Sequence, residues 1–211
     1  MNQKSHRQVL FVAQAGIIAA LYVVLTWLSA LVGLSGQNAI QIRVSEALCI
    51  LPYFTTAAVP GLTVGCLLAN LLTGAAPLDV VFGTLATLLG ALGALLLRKR
   101  RFLTPWPNVL SNTLIVPFVV YYVYYNAQDI TLPYLFLTVF IGEVIAGGVL
   151  GTLLLLALDR RGLGGMLEKR RSLRGRASGT TRATDAEQPV GKTETESSAD
   201  EKPLDEPPAK G

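Results

Sequence analysis

The sequence lacks the groups on which several classes of enzyme depend. It has one histidine, His6, and no GxxxxGK[ST] phosphate-binding loop, which excludes nucleotide hydrolysis by that route. Its two cysteines, Cys49 and Cys66, lie in apolar segments without metal-ligating neighbours, so we expect buried free thiols and no metal site. We therefore expect a protein that is not an enzyme and that binds no cofactor.

Charged side chains are also scarce, and they are confined to a few places. Apolar residues make up 51% of the chain, charged residues make up 15%, and the mean hydropathy is +0.47. Residues 1–176 contain 14 lysines and arginines, of which 13 are Lys4, Arg7 or members of the clusters Arg98–Arg101 and Arg160–Arg176; the fourteenth is Arg43. This composition is typical of an integral membrane protein.

Six apolar segments predict an all-α membrane domain over residues 1–171. They cover approximately residues 8–34, 44–59, 60–73, 79–97, 109–125 and 133–158. A membrane-spanning helix needs roughly 20 apolar residues. The second and third segments are short, and three alternatives stay open for them: they are tilted, buried among other helices, or form a re-entrant pair. We predict a six-transmembrane-helix bundle.

The basic residues predict the orientation of this bundle. With six spans, or with four spans and a re-entrant pair, both termini and the loop Arg98–Arg101 lie on one side, which the excess of Lys and Arg marks as cytoplasmic. The first apolar run exceeds the roughly 7 to 15 residues of a signal-peptide core, so we expect it to be retained. Residues 172–211 are rich in Ser, Thr, Glu, Asp, Lys and Pro, which predicts a disordered acidic cytoplasmic tail.

A few polar residues inside or beside the apolar segments form the predicted substrate site. The orientation places most of them near the outer face, and Glu143 lies roughly 15 Å deep at 1.5 Å per residue. Charged groups at that depth are costly and normally functional or paired. The predicted substrate-binding residues are Gln41, Arg43, Glu46, Asn70, Asp79, Tyr121, Tyr122 and Glu143.

Structural explanations for the same residues stay open. Arg43 and Glu46 are three residues apart and can pair with each other on one helical face. Asp79 can be a helix N-cap, and Glu143 can be protonated and bonded to a carbonyl group, or paired with Arg43. The tyrosines near the end of the fifth span, among them Tyr121, form either an interfacial aromatic belt or a stacking platform for a flat ligand.

Small residues spaced four apart mark surfaces where helices can approach closely. In the first span these are Ala15 with Ala19 and Gly16 with Ala20, near the end predicted to be cytoplasmic, where they can dock a partner.

Three runs of sequence carry a resemblance to a known family. They are Ile40–Leu48 (IQIRVSEAL), Gly65–Asn70 (GCLLAN) and Asp79–Leu89 (DVVFGTLATLL). Together they resemble the QueT family, substrate-binding subunits (S components) of energy-coupling factor (ECF) transporters assigned to queuosine precursors. The resemblance covers about residues 8 to 160.

The resemblance implies a subunit of the bacterial cell membrane with six helices and an outward-facing pocket. It also implies that a transmembrane coupling subunit docks on small residues of the first helix, here Ala15 and Ala19 with Gly16 and Ala20, and that two cytoplasmic ATPase subunits use the ATP. The ligand would be a deazaguanine base, whose adjacent N–H donors suit Glu143. Two alternatives stay open: an S component for another vitamin or purine-like nutrient, and a stand-alone proton-coupled transporter. We expect lipid contacts and no nucleic-acid partner.

Overall fold

The part of the chain that the structure describes is helical. The computed structural model describes residues 3–34, 42–125 and 131–160, and these ranges contain no strand. The α-helices are α1 (Gln3–Leu31), α2 (Ala58–Leu72), α3 (Pro77–Leu96), α4 (Trp106–Val119), α5 (Leu132–Glu143) and α6 (Gly151–Arg160). The all-α prediction is confirmed for these residues, whereas Gln41 and the predicted tail, residues 172–211, lie outside them.

Besides a short 3₁₀ turn at Arg101–Leu103, three segments have a rarer helical geometry. Val44–Tyr53 is a 3₁₀ helix of 10 residues, here called the 3₁₀ segment. A π-helical stretch, Val120–Tyr124, continues α4, and a second one, Val144–Leu150, joins α5 to α6. Long 3₁₀ runs are uncommon and π-helical turns are often found at functional sites. Glu46 therefore lies in a 3₁₀ helix, and Glu143 is followed directly by a π-helical stretch. Hydropathy alone does not reveal either geometry.

Within the described ranges, three helices are long and apolar enough to cross a membrane, namely Ser5–Leu31, Pro77–Leu96 and Leu132–Arg160. The 3₁₀ segment is shorter, about 20 Å at 2.0 Å per residue. It packs against α1, α3 and α6, and most of its residues are buried. Of the alternatives left open by the sequence, the structure shows burial among other helices for this segment. The number of membrane crossings stays a prediction.

Glycines set how closely neighbouring helices approach. A Cβ atom at Gly61 would lie 2.8 Å from the carbonyl oxygen of Ala15, and one at Gly65 would lie 3.0 Å from the Cα of Ala19. On α3, a Cβ atom at Gly90 would lie 2.7 Å from the Cα of Asn108. The helix pairs α1/α2 and α3/α4 are thus in backbone contact, which only a glycine permits at these points.

The two cysteines are free and buried, as the sequence predicts. Cys49 and Cys66 belong to a core cluster with Ile18, Tyr22 and Leu62, which joins α1, the 3₁₀ segment and α2. This apolar cluster positions the side chains of Tyr22 and Cys49, whose hydrogen bonds are described below.

Substitution of Gly90 tests the close contact between α3 and α4. We expect Gly90→Ala to lower the free energy of unfolding by about 1 to 3 kcal/mol, because the new methyl group forces Asn108 and the helix backbones apart. Gly16→Ala is the matched control, since a Cβ atom there meets nothing within 4 Å. Equilibrium unfolding of the detergent-solubilised variants measures both. Equal stability of Gly90→Ala and Gly16→Ala would contradict the contact.

Candidate functional site

A polar stripe on α1 holds the beginning of the 3₁₀ segment. The Thr26 hydroxyl donates to the Ser45 hydroxyl at 2.8 Å, and the backbone N–H of Val44 donates to the Ser29 hydroxyl at 3.1 Å. Arg43 precedes the 3₁₀ segment as its N-cap residue, and its carbonyl oxygen accepts from the backbone N–H of Glu46 at 3.0 Å, which holds the two residues close together. The stripe on α1 therefore determines where these two charges face.

Glu46 is the most densely hydrogen-bonded side chain of the site. It is 2% exposed, and its Oε1 accepts from the Tyr22 hydroxyl at 2.5 Å. Its Oε2 accepts from the amide of Asn108 at 2.8 Å, the amide of Asn112 at 3.4 Å and the thiol of Cys49 at 3.2 Å. An ionised carboxylate is an acceptor only and has about four lone-pair positions. The four donors match that capacity and stabilise a buried negative charge.

The asparagines belong to a stripe on α4 that sequence reasoning missed. Asn108, Asn112, Val116, Val120 and Tyr124 are spaced four apart, and the stripe continues through the π-helical stretch. Its polar members contact Glu46 and Asp79. The signal was present as two asparagines and a tyrosine on one face of an apolar helix.

Arg43 forms its ion pair with Asp79, not with Glu46 as one sequence alternative had it. Its Nη2 lies 3.7 Å from Oδ2 of Asp79, and its Nη1 donates to Oδ1 of Asn70 at 3.3 Å. The Tyr124 hydroxyl donates to the same Asp79 oxygen at 3.0 Å. The structure thus brings Arg43, Asn70 and Asp79 together, as the sequence predicted, and adds Tyr124.

The alternative role of Asp79 as a helix N-cap is wrong. The N-cap of α3 is Ala76, and Asp79 lies inside the first turn, 5% exposed. Gly74, with φ of 70°, turns the chain between α2 and α3 so that Asn70 and Asp79 lie at the same end. A Cβ atom at Gly83 would lie 3.2 Å from the Asn70 amide and 3.4 Å from an Asp79 oxygen. Gly83 therefore leaves the space that both side chains occupy.

Glu143 lies across from Glu46 in a small buried cavity. The cavity is lined by Arg43, Glu46, Asn112, Val116, Val139 and Glu143. Its volume of about 10 Å³ is close to the space of one water molecule. Glu143 is 9% exposed, and its Oε2 has no hydrogen-bond partner among the residues that the structure describes. Asn112 donates to Oε2 of Glu46 at 3.4 Å and lines the same cavity as Glu143.

Tyr121 and Tyr122, the two tyrosines predicted to bind the substrate, pack against each other, and Tyr122 is exposed. Tyr122 is 63% exposed and lines an apolar groove on the outside of α3 and α4, with Leu78 and Phe118 among its neighbours. Tyr121 packs edge-to-face against Tyr122, with ring centroids 5.2 Å apart. Of the tyrosines near the end of the fifth predicted span, Tyr124 contacts the site through Asp79, and Tyr122 fits the interfacial alternative.

The predicted docking residues divide between two faces of α1. Ala15 and Ala19 contact Gly61 and Gly65 of α2, so internal packing covers one of the two pairs of residues to which docking was assigned. Gly16 and Ala20 are exposed. Docking on Ala15 and Ala19 therefore does not fit the packing, because α2 already covers them.

The charges of the site do not balance. Three buried carboxyl groups, those of Glu46, Asp79 and Glu143, lie around one guanidinium group, that of Arg43. In an apolar bundle such an excess requires protons, or donors supplied by a ligand. The described residues contain no group of three or more His, Cys, Asp or Glu side chains placed to hold a metal ion. The arrangement suits a small molecule rich in N–H groups.

Removal of one donor tests the charge on Glu46. We expect Tyr22→Phe to lower the free energy of unfolding by about 1.5 to 3 kcal/mol, the usual contribution of a hydrogen bond to a charged group. Tyr134→Phe is the control, since Tyr134 is 46% exposed and lies outside the network. Equilibrium unfolding in detergent compares them. A Tyr22→Phe variant as stable as the control would show that Glu46 does not depend on this donor.

A comparison with protein families covers the part of the chain that carries this site. The family model described as "QueT transporter" matches residues 12–160, which include every described residue of the site. No curated protein and no solved structure gives a significant match. The match confirms the resemblance drawn from the three sequence runs. The chain belongs to the QueT transporter family, a family of membrane transporters and not of enzymes.

Proposed function

We propose that this protein is the substrate-capturing S component of an ECF-type importer in the bacterial cell membrane, and that it binds a queuosine precursor from the outside. The observation that carries the proposal is the Glu143 carboxyl oxygen, which is buried beside Arg43 and Glu46 without a hydrogen-bond partner among the described residues. A buried acceptor of this kind is costly unless a ligand supplies donors.

The chemistry of a deazaguanine base fits this acceptor. A guanine-like edge presents adjacent N–H donors, which a carboxylate accepts in a bidentate, charge-assisted contact. Glu143 takes that role, because the donors of Glu46 are already protein groups. Asn112, which faces both glutamates, and Arg43 supply donors for the carbonyl oxygen and ring nitrogen of the base. Asn70 and Gln41 were the sequence candidates for that reading, and Asn70 instead supports Arg43.

A cationic substituent on the base would meet the excess negative charge. Asp79 pairs with Arg43 and Glu46 lines the cavity beside it, and an aminomethyl cation next to either carboxyl group would restore the balance. This favours a charged precursor over a neutral one of the same shape.

Binding requires the site to open. A bicyclic base is many times larger than a cavity of about 10 Å³, which is close to the space of one water molecule. The contacts of Asp79 with Arg43 and Tyr124 join α3, the 3₁₀ segment and the end of α4 beside this cavity. Separation of these contacts enlarges the space while the Glu46 network keeps the inner wall in place. The ligand then replaces the donors that Asp79 loses.

Substitution of Glu143 tests the proposal. We expect Glu143→Gln to weaken binding of a deazaguanine precursor by about 2 kcal/mol or more, because a charged contact with two N–H donors is lost. The control is Asp159→Asn, whose carboxyl group pairs with Arg101 at 3.4 Å away from the cavity. Calorimetric titration of the purified full-length variants, with guanine and several vitamins as competitors, gives the affinities.

The outcomes of that titration separate the candidate functions. Equal affinity of Glu143→Gln and the wild type would remove Glu143 from the site. Binding of another vitamin or purine in place of deazaguanines would keep the S component and change its substrate. Absence of binding, together with uptake that follows the proton gradient without ATPase partners, would favour a stand-alone proton-coupled transporter.

We also propose that α1 docks the transmembrane coupling subunit through Gly16 and Ala20, and that two cytoplasmic ATPase subunits supply the energy. Gly16 and Ala20 are exposed and spaced four apart, which permits close approach of another helix. Their neighbours Ile17 and Leu21 are 62% and 48% exposed, so a partner helix would also cover apolar surface.

Bulky substitutions on this face test the docking. We expect Gly16→Leu combined with Ala20→Leu to abolish co-purification with the coupling subunit, because the added side chains hold the helices apart. Ligand affinity should remain that of the wild type. The control is Ala157→Leu, at an exposed position of α6. Co-purification that survives the double substitution would place the docking surface elsewhere.

A further inference from the structure

An apolar groove lies at the end of the bundle where the basic loop is found. Its volume is about 370 Å³. Pro105 and Trp106 form one wall, and residues from Val144 to Leu153 form the other. The second wall extends along about 13 Å of helix at 1.5 Å per residue. Gly148 keeps the groove open, because a Cβ atom there would meet only a Val144 methyl group, at 3.8 Å.

Four consecutive cations, Arg98–Arg101, stand next to this groove in the chain and are exposed. Arg101 donates to Asp159 at 3.4 Å, which joins the loop to the end of α6 and so links the two walls of the groove. Its guanidinium group also lies 4.8 Å from the ring centroid of Phe102, which is 54% exposed. Arg98, Lys99 and Arg100 therefore present their charges at a rim that also carries aromatic rings.

We propose that this end of the protein binds one anionic phospholipid, with the phosphate against Arg98–Arg101 and an acyl chain in the groove beside Trp106. The basic loop complements the charge of the phosphate, and the apolar groove is long enough to hold part of an acyl chain. Basic clusters at the ends of membrane helices attract anionic headgroups, and an amphipathic tryptophan is typical of that depth. Among the described lining residues, the polar groups are the indole N–H of Trp106 and the hydroxyl of Thr152, which donates to the Gly148 carbonyl oxygen at 2.6 Å.

The combination selects a lipid over a soluble anion. A free phosphate or nucleotide would use the cations and leave the groove unfilled, whereas a zwitterionic lipid would fill the groove and gain little from the cations. An anionic phospholipid uses both surfaces at once. The site is separate from the substrate cavity, since the groove and that cavity share no lining residue.

Tryptophan fluorescence tests the site directly. The chain has two tryptophans, so Trp27→Phe leaves Trp106 as the sole reporter. The full-length protein in phosphatidylcholine vesicles is given increasing fractions of brominated phosphatidylglycerol or brominated phosphatidylcholine, whose bromine atoms quench nearby tryptophan. We expect the anionic lipid to quench Trp106 at a lower mole fraction than the zwitterionic one. With Trp106→Phe, where Trp27 reports, the two lipids should quench alike.

Removal of the cations provides the decisive comparison. Lys99→Gln with Arg100→Gln keeps the Arg101–Asp159 contact, and each lost cation should reduce the lipid selectivity about fivefold. Lys4→Gln with Arg7→Gln removes the same charge from α1 and should preserve the selectivity. Equal quenching by both lipids, quenching by neither, selectivity that survives loss of Lys99 and Arg100, or displacement of the lipid by inorganic phosphate would each overturn the proposal.

Discussion

The buried carboxylate of Glu46 is the constraint on which the rest of the site depends. An ionised group among apolar helices is costly unless donors surround it, and here the donors come from α1, α4 and the 3₁₀ segment itself. Those elements must therefore keep fixed distances from one another. The glycines serve this requirement: Gly90 lets Asn108 approach α3 closely, and Gly65 lets α1, with Tyr22, pack on α2.

Two glutamates that share one cavity have different tasks. Glu46 accepts four hydrogen bonds from protein groups, whereas one oxygen of Glu143 has no partner among the described residues. The first carboxylate holds helices together and the second has capacity left for a ligand. Asn112 donates to Glu46 and lines the cavity with Glu143, so in the proposed function it connects the scaffold to the substrate. The π-helical stretch that starts at Val144 follows Glu143 directly, and such turns commonly accompany a side chain placed for function.

The sequence predicted that the charged groups inside the apolar segments could converge, but not which of them would pair. Charges are rare inside apolar segments, so Arg43 and Asp79 stood out from composition alone, and the turn at Gly74 brings Asp79 to the same end as Asn70. Neutral polar residues are inexpensive in a membrane helix and therefore gave a weak signal. For that reason Asn108 and Asn112 were not predicted, and Tyr124 could not be told apart from the other tyrosines at the end of the fifth predicted span.

The sequence predicted that α1 packs closely against another helix, but not which of its two small-residue pairs makes the contact. Spacing of small residues identified α1 as a contact helix, but the same helix has two such pairs, and periodicity cannot tell which one a neighbouring helix of the same chain will cover. The structure shows that α2 covers Ala15 and Ala19 and leaves Gly16 and Ala20 exposed. The 3₁₀ geometry of residues 44–53 was likewise not predicted; the segment is buried against α1, α3 and α6, contacts that hydropathy along the chain does not show.

An experimental structure with a deazaguanine precursor bound tests most directly whether Glu143 binds the ligand. We expect the N–H edge of the base within hydrogen-bonding distance of the Glu143 carboxylate. We also expect Arg43 and Asn112 to contact the ring, and Glu46 to keep its bonds to Tyr22 and Asn108. A base bound elsewhere in the bundle, with the Glu143 carboxylate still unpaired, would contradict that role of Glu143.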